Sequence, residues 1–263
     1  MRLPLYQVDA FTDRLFGGNP AAVMPLPHWL DDVTLAALAA ENNLSETAFL
    51  VAEGAGWRLR WFTPAIEVDL CGHATLASAH VLFAHLGVRS ERLQFSTASG
   101  PLSVARLADG RLELDFPART LTAISAPAGL GEALGATPQA VFDSGCNYLA
   151  VFADEAAVGA LRPDFRALAA LERQGVIVTA AGEAVDFVSR YFAPAAGIDE
   201  DPVTGSAHCE LTPYWAECLG RSALRARQVS ARGGTLGVRL NGDRVGIAGR
   251  AVTYLCGQVE LPG

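Results

Sequence analysis

Residues 199–220, DEDPVTGSAHCELTPYWAECLG, place an acidic turn directly ahead of a helix-like run. The first N–H groups of a helix have no partner inside it, and they sit at the positive end of its dipole. A Gly205-Ser206 step at that point lets a ligand come close to the backbone, so the segment predicts an anion cradle. A plain capped helix, with Asp201 complementing the dipole, accounts for the same residues.

A second copy of the pattern shifts the balance. Residues 62–87, FTPAIEVDLCGHATLASAHVLFAHLG, parallel residues 192–220: an aromatic-x-Pro-Ala step, an acid-bearing turn, a glycine, and a helix-like stretch closed by glycine. Gly72 to Gly87 matches Gly205 to Gly220 in length, and a closing glycine is the expected helix stop. Two such units half a chain apart predict an α+β protein of two pseudo-symmetric domains. The expected halves are 1–117 and 118–263, with the last few residues packing back on the first. The two helix starts would then face each other across a cleft.

The chain has 263 residues, room for two medium domains, and a net charge of −8. That balance gives no pull toward nucleic acid. All twenty basic residues are arginine, which excludes a Schiff-base lysine and a P-loop. The arginines at 221, 225, 227 and 232 read as a solvated surface. Five cysteines without a C-x-x-C pair point to a reducing, cytoplasmic setting rather than a disulfide framework. Asp9 and Asp13 interrupt any signal-like run at the start. Residues 70–88 carry no formal charge, but Gly72, His73, Ser78, His80 and His85 break their apolarity; a buried helix is expected, with no membrane partner.

The remaining segments fill in the plan. Strands are expected at 3–10, before residue 26, after Glu46, at 57–62, and as a meander to 117; 31–42 reads as a helix with acids in its first turn. The helix after Gly72 is apolar nearly all round, so the strands should wrap about it. Residues 117–129 read as the connection between halves. The second half should carry helices at 156–161 and 165–174, and Pro213 should kink its central helix.

Glu46, in NNLSETAF, sits between a helix and an apolar strand, a partly buried edge that suits general acid/base work. His73 follows Gly72 at the first helix start, where it can bind or relay a proton. Cys71 precedes Gly72 and, as a helix-N-terminal thiol, is expected to have a lowered pKa. Its counterpart ahead of Gly205 is Thr204, so a two-thiol racemase lacks a partner. His73, His80, His85, His208 and Cys209 lack the spacing of a zinc site, and no metal is expected.

Taken in order, FGGNPAAV, NNLSETAF, FTPAIEVDLCGHATLA and DPVTGSAHC resemble the PhzF-like phenazine-biosynthesis family, within the diaminopimelate-epimerase fold superfamily. The resemblance implies two similar domains, each a curled, mostly antiparallel sheet around a central helix, with the active site between them. It implies a homodimer, no cofactor, and isomerase chemistry in which a proton moves between carbons of a small unsaturated or cyclic carboxylic acid. In the family's phenazine enzyme the substrate is trans-2,3-dihydro-3-hydroxyanthranilate. By motif, the general acid/base falls on Glu46, supporting catalytic roles on His73 and Asp201, and substrate binding on Gly72, Gly205 and Ser206. A thiol-dependent racemase using Cys71, and a non-catalytic binding protein that kept the fold, are the alternatives.

Overall fold

A computed structural model describes residues 1–261. The first strand, β1 (Arg2–Ala10), pairs antiparallel with β2 (Asn19–Leu26). Helix α1 (Asp32–Asn42) begins where Asp31 accepts the Thr34 N–H at 2.9 Å and ends at Asn43 in the left-handed region. Strand β3 (Glu46–Glu53) then lies parallel to β2, and β4 (Gly56–Phe62) turns back antiparallel to β3. A short β5 (Glu67–Val68) leads into α2 (Gly72–Ala84). Strand β6 (Arg92–Thr97) runs parallel to β4, and β7 (Gly100–Arg106) and β8 (Leu112–Pro117) complete a meander.

Helix α2 is the axis of this arrangement. Every residue from Gly72 to Ala79 is buried, as are Val81 and Leu82, and the helix packs on β1, β2 and β3. A helix covered on every side has no use for an amphipathic pattern, which is why its sequence is apolar throughout. It stops at Ala84, before the expected Gly87. There the N–H groups of Leu86 and Val88 turn back to the carbonyls of Val81 and Leu82, and Gly87 takes a φ of 67°.

The chain continues through β9 (Thr122–Ile124), α3 (Leu130–Leu134), β10 (Ala140–Asp143), β11 (Asn147–Val151), α4 (Glu155–Ala160) and α5 (Phe165–Ala169). Next come β12 (Gly175–Ala181), β13 (Phe187–Ala193), β14 (Ile198–Asp201), α6 (His208–Leu219), β15 (Ala223–Gln228), β16 (Gly234–Asn241) and β17 (Arg244–Gly249). The pairing plan is that of the first half. Strands β11 and β12 are parallel, β12–β13 and β13–β14 antiparallel, then a helix, then β13–β15 parallel and β15–β16 antiparallel. This repeat of topology is what the two similar segments of sequence encode.

Two local readings change, and the bond that Pro213 removes from its helix is replaced. The connection after Pro117 contains β9, which pairs with β10. Helix α5 ends at Ala169, not near 174: Ala170 and Leu171 bond three residues back, and Arg173 is drawn to Asp143 at 2.7 Å. Helix α6 runs through Pro213, whose missing N–H frees the Cys209 carbonyl; that carbonyl accepts the Arg119 N–H at 3.0 Å instead.

The last strand, β18 (Ala251–Glu260), pairs with β1 from Ala10↔Ala251 to Arg2↔Glu260. Contacts accordingly group Met1–Asp115 with Ala248–Gly263 in one unit, and Phe116–Ile247 in the other. Among the described residues, no helix is long and apolar enough to cross a membrane.

Candidate active site

Strands β2 and β3 are parallel neighbours, so they begin at the same end, Asn19 opening one and Glu46 the other. Helix α2 begins beside them. The result is a cluster of side chains that lie far apart in sequence: His73 Nε2 is 3.1 Å from Glu46 Oε2, and His73 Nδ1 is 3.2 Å from Asn19 Nδ2 and 3.5 Å from Cys71 Sγ. Asn19, Glu46, Cys71 and His73 are all buried. Glu46 Oε2 and His73 Nε2 are within ion-pair reach, yet neither completes a hydrogen bond to a protein group. Two buried polar atoms left in this state are costly, and such atoms are characteristic of a site built to meet something else.

Burial alone would depress the pKa of His73, but the neighbouring Cys71 and Glu46 outweigh it and hold the imidazole well above an ordinary histidine. The Cys71 thiol is itself pushed up to about 11. Burial is the main cause there, and Glu46 adds to it. The lowered thiol pKa expected at a helix start is therefore reversed. Cys71 does occupy the N-terminal cap of α2, but desolvation and an adjacent carboxylate dominate the helix dipole.

In the second unit, Asp201 ends β14 and is buried at the head of a tight turn. The Thr204 hydroxyl donates to Asp201 Oδ2, and the Thr204 N–H donates to Gln228 Oε1 at 2.8 Å. Gln228 Nε2 donates in turn to the Asp201 carbonyl at 2.7 Å. Helix α6 opens at His208, three positions later than the glycine that was expected to start it. Residues Gly205 to Ala207 form a tighter turn whose carbonyls accept from His208, Cys209 and Glu210.

Residues 8–257 match the family described as "Phenazine biosynthesis-like protein". The chain belongs to that family. An uncharacterized isomerase of Pseudomonas aeruginosa is 55% identical over 99% of this chain and 100% of its own. A crystal structure of a PhzF-family phenazine biosynthesis protein from Enterococcus faecalis is 47% identical, covers 99% of this chain and 100% of its own, and superposes with a TM-score of 0.96. A hydroxyproline epimerase from Agrobacterium vitis, 12% identical, has a TM-score of 0.63 over 98% of this chain and 92% of its own; it shares the fold alone.

In this family member, two groups of buried polar residues went unread as site residues in the sequence. Asn19 stands in the Gly-Gly-Asn-Pro run of FGGNPAAV, a composition that turn chemistry explains by itself. Glu210, on α6, is fully buried and its Oε1 accepts from Asn147 at 2.8 Å, Ser144 at 3.1 Å and Arg119 at 3.2 Å. Burial raises its pKa against the pull of Arg119. Asn147 in turn accepts from the Tyr191 hydroxyl at 3.1 Å. A glutamate in a helix first turn gives no sign of burial, because acids are favoured there in any helix.

Proposed function

We propose that this chain is a cofactor-independent isomerase that moves a proton between carbons of a small unsaturated or cyclic carboxylic acid, with Glu46 as the general acid/base. One observation carries the reading: a buried carboxylate oxygen, Glu46 Oε2, lies 3.1 Å from His73 and completes no hydrogen bond within the protein. A base must present its carboxylate in a dry site, and Glu46 is buried with His73 as its neighbour.

Glu46 takes a proton from a carbon activated by adjacent unsaturation. The electron pair left behind moves along the conjugated system, and Glu46 returns the proton at a second carbon, shifting the double bond. His73, held toward its charged form beside Glu46, stabilises the negative charge that develops on the substrate and keeps the carboxylate oriented. Gly72, at the start of α2, offers its N–H to the substrate's carboxylate. In the second unit, Gly205 and Ser206 are assigned as anion-binding positions and Asp201 as the acid that orients what binds there.

The family's names support isomerase chemistry: relatives from Pseudomonas aeruginosa and from Halalkalibacterium halodurans are named isomerases. A racemase working through Cys71 is disfavoured by a thiol pushed up to about 11. We assign a homodimer as the working assembly. The exposed Leu15, Phe16, Tyr254 and Leu255 offer apolar surface of the kind a second copy covers, and light scattering of the purified protein tests it.

The test of function is solvent-deuterium uptake by NMR into a panel of small carboxylic acids, the dihydro-hydroxyanthranilate included. Wild type should exchange and Glu46→Gln should not. Exchange that survives in Glu46→Gln but is lost in Cys71→Ser moves the chemistry to the thiol. No exchange with any compound, with ligand binding intact in Glu46→Gln, supports a binding protein instead.

A further inference from the structure

Glu46, Cys71 and His73 bring a carboxylate oxygen, a thiol sulfur and an imidazole nitrogen to within 4.8 Å of one another, all three side chains buried. Ligand atoms arranged tetrahedrally around zinc stand about 3.5 Å apart, given zinc–ligand bonds of about 2.0 to 2.3 Å. The contact of His73 Nε2 with Glu46 Oε2 at 3.1 Å already lies at that scale, while Cys71 Sγ lies 3.5 Å from the other ring nitrogen, Nδ1, and has to shift to join an ion held by Nε2. The second, independent observation is that Glu46 Oε2 and His73 Nε2 complete no hydrogen bond within the protein.

We propose that Glu46, Cys71 and His73 form a binding site for a soft divalent cation of the zinc type. A sulfur–nitrogen–oxygen donor set suits zinc and excludes magnesium and calcium, which take oxygen alone. Three protein ligands leave one tetrahedral position open. On binding, the Cys71 S–H bond breaks, its proton goes to solvent, and the thiolate electron pair forms the bond to the metal; nothing is oxidised or reduced. Thiolate and carboxylate together neutralise the two positive charges, which removes the main penalty for burying an ion. Asn19 completes the arrangement. With Nε2 on the metal, Nδ1 carries the imidazole proton, and the Asn19 amide, turned to present its oxygen, accepts it.

The sequence offered no zinc spacing because the third ligand comes from β3, 25 residues before Cys71, and is delivered only by the sheet. The consequence rests on the isomerase reading: the ion takes the lone pair of Glu46 that would accept the substrate's proton, so the metal is a reversible inhibitor.

Cobalt titrated into the full-length, chelator-treated protein is the test, since thiolate–cobalt charge transfer absorbs in the near ultraviolet. Wild type should develop this band at one equivalent and lose it on addition of zinc. Cys71→Ala should lack the band, and Glu46→Gln and His73→Gln should each bind cobalt at least tenfold more weakly. With the exposed thiols of Cys146, Cys218 and Cys256 replaced by serine in both proteins, a band that persists in Cys71→Ala overturns the site, as does no band in the Cys71 protein. X-ray absorption of the wild-type zinc form needs no variant. One sulfur with nitrogen and oxygen ligands supports the site; no sulfur, or two or more, overturns it. Neither readout uses a substrate, whereas deuterium uptake by the metal-free enzyme tests the isomerase reading separately. Where uptake is seen, one equivalent of zinc should suppress it at least tenfold and a chelator restore it; uptake untouched by bound zinc overturns the inhibitory role.

Discussion

Asn19 Nδ2 meets His73 Nδ1 at 3.2 Å, both groups buried, and this contact sets which ring nitrogen of His73 faces Glu46 with a proton. An amide N–H donating to Nδ1 makes that nitrogen an acceptor, so the neutral ring carries its proton on Nε2, toward Glu46. When the ring gains a second proton, the amide has to turn and present its oxygen. Asn19 is thus a positioning residue for the acid/base pair. Asn19→Ala should leave Nδ1 with Cys71 Sγ alone, 3.5 Å away, cost about 1 to 3 kcal/mol of stability, and lower kcat by about tenfold. The diagnostic readout is the ¹⁵N spectrum of His73, recorded at a pH high enough to leave the ring neutral, which should report a mixture of tautomers in Asn19→Ala and one in wild type. An unchanged spectrum would sink the assignment.

Asn19 depends in turn on the residue before it. Gly18 has a φ of 64°, and a Cβ placed there would run into the Ala10 carbonyl and the Thr12 side chain. Both the backbone conformation and the space exclude a side chain. Gly18→Ala should therefore cost about 1 to 3 kcal/mol, seen as a lower urea midpoint. It should also reduce deuterium uptake by displacing Asn19 from His73. A variant as stable and active as wild type would show that the turn has another way to hold Asn19.

What the sequence made legible is the part carried by local patterns. The repeated Gly-to-Gly segments marked both central helices: the first by a nearly all-round apolar run bounded by glycine, the second by its likeness to the first. Asp31 and Asn43 are cap residues whose side chains and backbone preferences act within a few positions, so α1 was placed within one residue. The start of α6 differs because Gly205 to Ala207 bond at i to i+3, and a glycine in the sequence does not distinguish that tighter turn from the first turn of an α-helix. The state of Cys71 was misread for a different reason. A dipole argument needs only the helix, but the pKa of the thiol was decided by burial and by Glu46 on another strand.

Glu210 offers a test of a buried carboxyl whose pKa is raised by burial against the pull of Arg119. Its Oε1 receives Asn147, Ser144 and Arg119, and burial raises its pKa. Glu210→Gln keeps an acceptor oxygen in place and should change stability by less than about 1 kcal/mol. Glu210→Ala removes the acceptor from three donors and opens a cavity, and should cost about 3 kcal/mol or more. Urea unfolding of both variants checks this. A large loss in Glu210→Gln would mean that the charge itself, paired with Arg119, is what the fold needs.

His208 sets an acid limit on stability. It is fully buried on α6, where its Nδ1–H donates to the Thr204 carbonyl at 2.8 Å. Burial pushes its pKa down to about 4, and the Thr204 carbonyl opposes this only in part. In the unfolded chain the same ring titrates near 6.5. Between those two values the unfolded state binds a proton that the folded state refuses, so stability is fully present above pH 6.5 and is lost as pH falls toward 4. At about 1.4 kcal/mol per pH unit, one such group contributes a loss of about 3 kcal/mol. His80, also depressed to about 4 by burial and then by His85, acts in the same direction. Carboxylates add their own acid sensitivity, so the comparison must be between variants. His208→Asn keeps a donor near the Nδ1 position and removes the titrating ring. Urea unfolding at pH 7 and at pH 4.5 should show wild type losing about 2 to 3 kcal/mol more than His208→Asn over that interval. Equal losses in the two proteins would show that His208 does not resist protonation, and that the turn from Asp201 to Thr204 is held without a neutral imidazole.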